Sequence, residues 1–180
     1  MPSETDHANK RYDHGRGTGG TWWRDLTVAI LLGLLSFVVF NSNERAIPAA
    51  DTYAARYLPF SILRNRNVLL NPVLDTVAQG RTPGSTAFWI AHGVGDRYVS
   101  LYPIVVPVVV SPLYVPAVLY LNARGWDPHD VDQVARIMEK LCASLIAAAS
   151  VALLYLLLRR RSPAWTAALL SVVYAFGTTT

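Results

Sequence analysis

Four stretches of this chain contain no charged residue and are dominated by apolar side chains. They are Leu26 to Asn43, Tyr98 to Ala123, Leu141 to Leu158, and Ser162 to Thr180. About 20 residues of α-helix, at roughly 1.5 Å per residue, cross a hydrocarbon core of about 30 Å, and each stretch approaches or exceeds that length. The pattern predicts an all-α polytopic membrane protein with three to four membrane helices.

The first span, residues 22–41, follows a polar tail. Residues 1–21 carry charges and glycines but almost no aliphatic side chains, which predicts a disordered tail. Trp22 and Trp23 stand where a span meets the lipid headgroups. Basic residues precede the span at Lys10, Arg11, Arg16 and Arg24. The positive-inside rule therefore predicts a cytoplasmic tail and an extracytoplasmic loop over residues 42–101.

The large outside loop contains signals for one helix and one hairpin. Apolar and aromatic residues recur at helical spacing from Thr52 to Arg64, directly after Asp51, which predicts a short interfacial helix. Pro59 lies inside that segment, so we expect a kink or a division into two pieces. Two aromatic and β-branched runs, 86–92 and 97–102, flank the turn-forming sequence 93–96 and predict a β-hairpin.

A Pro-rich membrane element follows at residues 102–121. It carries Pro103, Pro107, Pro112 and Pro116. Prolines remove helical hydrogen bonds, so we expect a kinked element whose freed carbonyls find partners inside the protein. Whether this element crosses the bilayer is open: a full crossing places Arg159 to Arg161 outside, whereas a re-entrant or interfacial course places them inside.

The third helix is predicted over residues 131–158, and the turn before it is rich in acids. Asp130 with Gln133 three residues later has the pattern of a helix cap and its capping-box partner. The alternative is that Asp127, His129, Asp130 and Asp132 ligate a metal. After the basic cluster, a fourth span at 163–180 has only 13 apolar residues before the terminal glycine and threonines, so we expect a truncated piece of a longer protein.

Composition adds little chemistry. The 16 Lys and Arg against 12 Asp and Glu give a net charge of +4. These basic residues cluster at the ends of apolar blocks, which indicates membrane orientation and not a nucleic-acid partner. The single Cys142 lies in an apolar block as a packing residue, and the four histidines lack the spacing of metal ligands, so no metal site follows from them.

The segment from the first span to the Pro-rich element resembles the N-terminal module of GT-C type glycosyltransferases, a group that includes protein O-mannosyltransferases and aminoarabinose transferases. The resemblance rests on Asp51 soon after the first span, within Asp51-Thr-Tyr-Ala-Ala-Arg56, and on Ser100-Leu-Tyr-Pro103 opening the next apolar element. Glu139 leading into a long span fits the same pattern. Ile104 stands where a second proline is usual.

This resemblance implies transfer of a sugar from a polyprenyl-phosphate carrier to a glycan, lipid or protein acceptor, outside the bacterial inner (plasma) membrane. Asp51 would be the general base or the ligand of a divalent cation, the one cofactor that the resemblance raises. Arg56 would bind the lipid-linked phosphate, and Tyr102 would contact the sugar or the carrier. In the simpler alternatives, Asp51 caps the loop helix, Arg56 meets headgroups and Tyr102 is an interfacial aromatic.

Two other classes of function remain open. The first is a non-enzymatic membrane protein, such as a transporter or flippase subunit, in which the kinked Pro-rich element lines a path. Ionisable residues inside the spans would favour that class, and the charge-free blocks contain none. The second is an inactive truncated fragment.

Overall fold

Three helices of the described chain are long and apolar enough to cross a membrane. The computed structural model describes residues 21–42, 52–73, 90–95 and 97–177, and it is 80% helical with a small two-stranded sheet. The three membrane-length helices are Trp22–Ser42, Val105–Arg124 and Pro128–Arg159. This confirms the predicted helical, membrane-type architecture in its coarse form.

The elements follow one another in a simple order. Helix α1 (Thr21–Ser42) precedes α2 (Tyr53–Asn65), and strands β1 (Ile90–Gly93) and β2 (Arg97–Ser100) form the hairpin. The Pro-rich helix, Val105–Arg124, consists of α3 (Val105–Val110), a 3-10 turn (Ser111–Tyr114) and α4 (Val115–Arg124). Helices α5 (Pro128–Arg159) and α6 (Ala164–Gly177) complete the described chain. The chain divides into two compact units, residues 1–38 with 147–180, and residues 39–146.

In the first unit, α1 packs antiparallel to the end of α5. Ala29, Tyr155 and Ala167 form its buried cluster, so α6 takes part as well. Gly33 allows close approach, because a Cβ placed there would lie 3.4 Å from both the Ala148 carbonyl oxygen and the Ala152 Cβ. Small residues at such positions let membrane helices gain van der Waals contact.

In the second unit, α2 packs against the Pro-rich helix and the beginning of α5. The shared core contains residues from all of these helices: Tyr57, Phe60, Val73, Val110, Tyr114, Ala117, Leu121, Val131, Ala135 and Cys142. Phe60 meets Tyr114 edge to face, with ring centroids 5.1 Å apart. Cys142 is buried in this core, as predicted for a packing residue.

The hairpin is confirmed over the described residues: β2 ends at Ser100, two residues before the end of the predicted run, and residues 86–89 of the first run lie outside the described residues. Its antiparallel register pairs Ile90 with Ser100 and Gly93 with Arg97. Gly95 adopts a φ of 73° in the turn, a conformation that favours glycine. Backbone hydrogen bonding ties the hairpin to the loop after α2, because the Leu70 N–H donates to the Tyr98 carbonyl at 2.8 Å.

One local prediction, the cap of the third helix, is wrong, and of the two alternatives at Pro59 the division into two pieces does not occur. Pro59 does not divide α2, which runs unbroken from Tyr53 to Asn65; burial of Leu58, Pro59 and Phe60 offsets the one lost hydrogen bond. Asp130 does not cap the third helix, which begins three residues earlier than predicted.

The cap of α5 is Asp127. Its Oδ1 accepts a hydrogen bond from the His129 N–H at 2.9 Å, and Pro128 occupies the first helical position, where a missing N–H costs little. Asp130 therefore lies in the first turn, where an acid is favoured by the helix dipole.

Other boundaries shift modestly. The Pro-rich helix occupies Val105–Arg124 instead of 102–121, and the expected distortion takes the form of the 3-10 turn around Pro112. Helix α6 has 14 residues, which is short for a span, as the sequence predicted for the fourth block.

Candidate functional site

The most unusual side chain of the described structure is Arg56 of α2. Its residue exposure is 1%, although an arginine is rarely buried unless paired. The Arg56 Nε–H donates to Glu139 Oε2 on α5 at 2.7 Å, and Nη2 lies 2.5 Å from the same oxygen. A buried ion pair therefore joins the loop helix to the third membrane-length helix.

The guanidinium of Arg56 uses only part of its donor capacity. Its Nη2 contact with Glu139 Oε2 is an ion pair. Neither Nη1 nor Nη2 donates a hydrogen bond to an acceptor in the described part of the chain. The guanidinium carbon instead lies 4.7 Å from the ring centre of Tyr53 and 5.9 Å from that of Tyr57, so two aromatic faces supplement the carboxylate.

Arg56 stays charged in this environment. Burial by itself lowers the pKa of the Arg56 guanidinium, but the adjacent Glu139 carboxylate outweighs that effect and the pKa is raised overall. The pair is therefore a true ion pair, and loss of either charge would leave the other desolvated without compensation.

A second polar contact joins the same two helices. The Tyr57 hydroxyl donates a hydrogen bond to Asp132 Oδ1, while Asp132 Oδ2 accepts from Arg136 Nη2 at 2.7 Å. Burial, followed by the Asp132 carboxylate, raises the pKa of Tyr57, so the hydroxyl keeps its proton and remains a donor. Helix α2 is thus fixed to α5 at two points.

The α5 acids that make these contacts lie on one helical face. Asp132 and Glu139 are separated by two turns, so their side chains project in similar directions. Sequence reasoning named Asp132 only as one of four possible metal ligands and Glu139 only as part of the resemblance, and it did not predict that either contacts α2. Their heptad spacing, on the amphipathic first part of an otherwise apolar helix, is the signal that would have found them.

The predicted site residues have different outcomes in the structure. Asp51 lies outside the described residues, one position before Thr52, which is the residue preceding α2. Arg56 is buried and forms an ion pair with Glu139. Tyr102 is half-buried and packs on the cluster formed by Ala54 and Leu58 of α2, together with Leu70.

Tyr102 is also held through its backbone. Its N–H donates to the Ser100 Oγ at 3.0 Å, and that hydroxyl donates back to the Tyr102 carbonyl at 2.9 Å. This turn links β2 to the Pro-rich helix. Arg56 belongs to α2, and Tyr102 packs on the same helix through Ala54 and Leu58.

A metal site does not emerge from the residues that the structure describes. Within them, no group of three His, Cys, Asp or Glu side chains is arranged to hold an ion. In the acidic turn, Asp127 caps α5 and Asp132 is engaged by Tyr57 and Arg136. A divalent-cation role for Asp51 falls outside the described chain.

Comparisons of the chain with protein-family models, with curated proteins and with solved structures give no match.

Proposed function

We propose that this chain is the N-terminal module of a membrane glycosyltransferase of the GT-C type. It would transfer a sugar from a polyprenyl-phosphate carrier to an acceptor on the extracytoplasmic side of a bacterial inner membrane. The observation that carries the proposal is the anchoring of α2 by Arg56–Glu139 and Tyr57–Asp132. That helix begins two residues after Asp51, the acid on which the chemistry would depend.

The proposed reaction needs one proton acceptor. The acceptor hydroxyl oxygen attacks the anomeric carbon, the bond from that carbon to the carrier phosphate oxygen breaks, and the phosphate leaves with the bonding electrons. Asp51 takes the hydroxyl proton as general base. Its alternative role is to ligate a divalent cation, the hard-ion chemistry that carboxylates suit.

Anchoring matters for this chemistry because general bases act only when correctly placed. A misplacement of about 1 Å can lower a rate by about 100-fold. A short helix after a membrane span would not hold a carboxylate by itself, since isolated helices of this length are marginal in water. The buried ion pair and the tyrosine hydrogen bond supply the tertiary support that α2 needs.

The other two site residues take more specific roles. Arg56 is first a positioning residue for α2. Its proposed contact with the carrier phosphate would use Nη1, and it requires that the packing that buries the guanidinium open. Tyr102 is proposed to contact the sugar or carrier, from its place between β2 and the Pro-rich helix. The proposed partners are the bilayer, the lipid-linked donor and the acceptor, with the N-terminus cytoplasmic and the loop outside.

The test is a transfer assay with the full-length protein in proteoliposomes. Polyprenyl-phosphate donors with radiolabelled mannose, glucose, galactose or aminoarabinose are incubated with envelope extract, and label reaching the acceptor fraction is counted. The wild type should transfer label and Asp51→Asn should not. Asp75→Asn and Asp96→Asn are matched controls because both are acids of the same loop, and Asp96 ends the turn-forming sequence 93–96.

Two results would defeat the proposal. The first is full transfer by a folded Asp51→Asn protein. The second is movement of the intact labelled donor between leaflets without sugar transfer, which would instead support the transporter or flippase class.

A further inference from the structure

The ion pair between Asp25 and Arg159 fixes the relative direction of two membrane-length helices. Arg159 Nε donates to Asp25 Oδ1 at 2.8 Å, with both side chains 24% exposed. Asp25 lies in the first turns of α1, and Arg159 is the last residue of α5. The contacts of Gly33 with Ala148 and Ala152 repeat the antiparallel arrangement farther along both helices.

The start of α1 and the end of α5 must then lie on the same side of the bilayer. This places Arg24 and the cluster Arg159 to Arg161 together, as the positive-inside rule favours. Helix α5 is continuous for 32 residues, or about 48 Å, which exceeds a hydrocarbon core of about 30 Å. Its first residue therefore emerges on the opposite side, which is the side where α1 ends.

The segment between the end of α1 and the start of α5 must consequently begin and end on the same side of the bilayer. Among the described residues, the Pro-rich helix is the one membrane-length helix between Ser42 and Pro128. The sequence from 43 to 97 is interrupted by charges too often to supply a second crossing. A single crossing would leave the chain on the wrong side, so the number of crossings in this interval is zero.

We propose that the Pro-rich helix does not cross the membrane and is instead embedded in one leaflet, on the side of α2 and the hairpin. The partner of its outward surface is the phospholipid of that leaflet. This inference rests on helix direction and charge and does not depend on sugar transfer.

The two faces of the Pro-rich helix fit this course. One face is buried against the second unit: Pro107, Val110, Ser111, Tyr114, Ala117 and Leu121. The other is apolar and open, with Val105, Val109 and Leu119 each more than 60% exposed. A continuous open apolar surface of this kind marks contact with a membrane or a partner.

The ends and middle of the helix also suit a one-leaflet position. At the end, the Arg124 guanidinium lies 5.8 Å from the ring centre of Tyr120, an aromatic and basic pair typical of the headgroup region. In the middle, the 3-10 turn contains Ser111, whose hydroxyl donates to the Pro107 carbonyl at 2.6 Å. Hydrogen bonding of this kind satisfies backbone carbonyls at membrane depth.

Cysteine labelling tests the proposal in the full chain. In a Cys142→Ala background, single cysteines replace Val94 in the hairpin turn, Ala123 at the end of the Pro-rich helix, or Ser162 after α5. Intact cells are treated with a membrane-impermeant maleimide before and after permeabilisation. We expect Val94→Cys and Ala123→Cys to label from the same side and Ser162→Cys from the other.

Labelling of Val94→Cys and Ala123→Cys from opposite sides of the membrane would overturn the proposal. A depth measurement provides the second arm, because it does not depend on side-specific labelling. A nitroxide at Val109, which is 66% exposed, should remain within the leaflet that Val94 faces. A series of nitroxides along the exposed face that passes through the midplane into the other leaflet would contradict the proposed embedding.

Discussion

Glu139→Gln should destabilise the protein far more than its partly exposed position suggests. Arg56 has a side-chain exposure of 0% and relies on Glu139 Oε2 for its hydrogen bond and its ion pair. Removing one partner of a buried pair typically costs about 3–5 kcal/mol, because the remaining charge is left desolvated. Glutamine keeps one oxygen acceptor and Glu139 is 24% exposed, so we expect the lower end, about 3 kcal/mol.

The assay is reversible unfolding in mixed micelles with increasing SDS, followed by tryptophan fluorescence. Arg136→Gln is the matched control, because the Arg136–Asp132 pair is an exposed i, i+4 contact and should contribute less than about 1 kcal/mol. Replacing both members of the buried pair, as Arg56→Met with Glu139→Leu, should recover most of the loss. The reasoning is refuted if Glu139→Gln unfolds with no greater loss than Arg136→Gln.

Two further predictions concern the helix contacts. Tyr57→Phe removes the hydrogen bond to Asp132 and should cost about 1.5 kcal/mol of unfolding free energy. Since the pKa of Tyr57 is raised in the folded protein, the stability that its protonated hydroxyl contributes is present below about pH 10 and declines as pH rises further. The variant should therefore lose less stability than the wild type between about pH 9 and 11, and equal slopes for the two proteins would contradict the pKa shift. Gly33→Leu should overpack against Ala148 and Ala152 and cost about 1–3 kcal/mol of unfolding free energy. Gly33→Ala places its Cβ at ordinary contact distance and should unfold nearly as the wild type does. Equal stability of the two variants would rule out the close approach of the helices.

The sequence predicted most of the helices because their signals are local. Charge-free blocks located α1 and α5, and helical spacing after Asp51 located α2. Pro59 misled the prediction because a proline penalty is local, whereas the burial that offsets it comes from tertiary packing. The start of α5 was misplaced because Asp127 and Asp130 are both suitable caps, and the choice depended on Pro128.

The site was less predictable because its contacts are distant in sequence. Arg56 and Glu139 are 83 positions apart, so nothing in the sequence indicated their ion pair and Arg56 was predicted to bind a phosphate. The direction in which the helices cross the membrane was equally hard to predict, since the positive-inside rule left the course of the Pro-rich element open. The Asp25–Arg159 pair supplied the missing constraint by placing two helix ends on one side.

Sugar transfer by purified Asp51→Asn protein tests the proposed function most directly. The rate should fall by about 100-fold or more, the scale of general-base catalysis, while SDS unfolding stays within about 0.5 kcal/mol of the wild type. A folded Asp51→Asn protein that transfers label within about twofold of the wild-type rate would contradict the proposed role of this acid, since even modest general-base catalysis exceeds that difference.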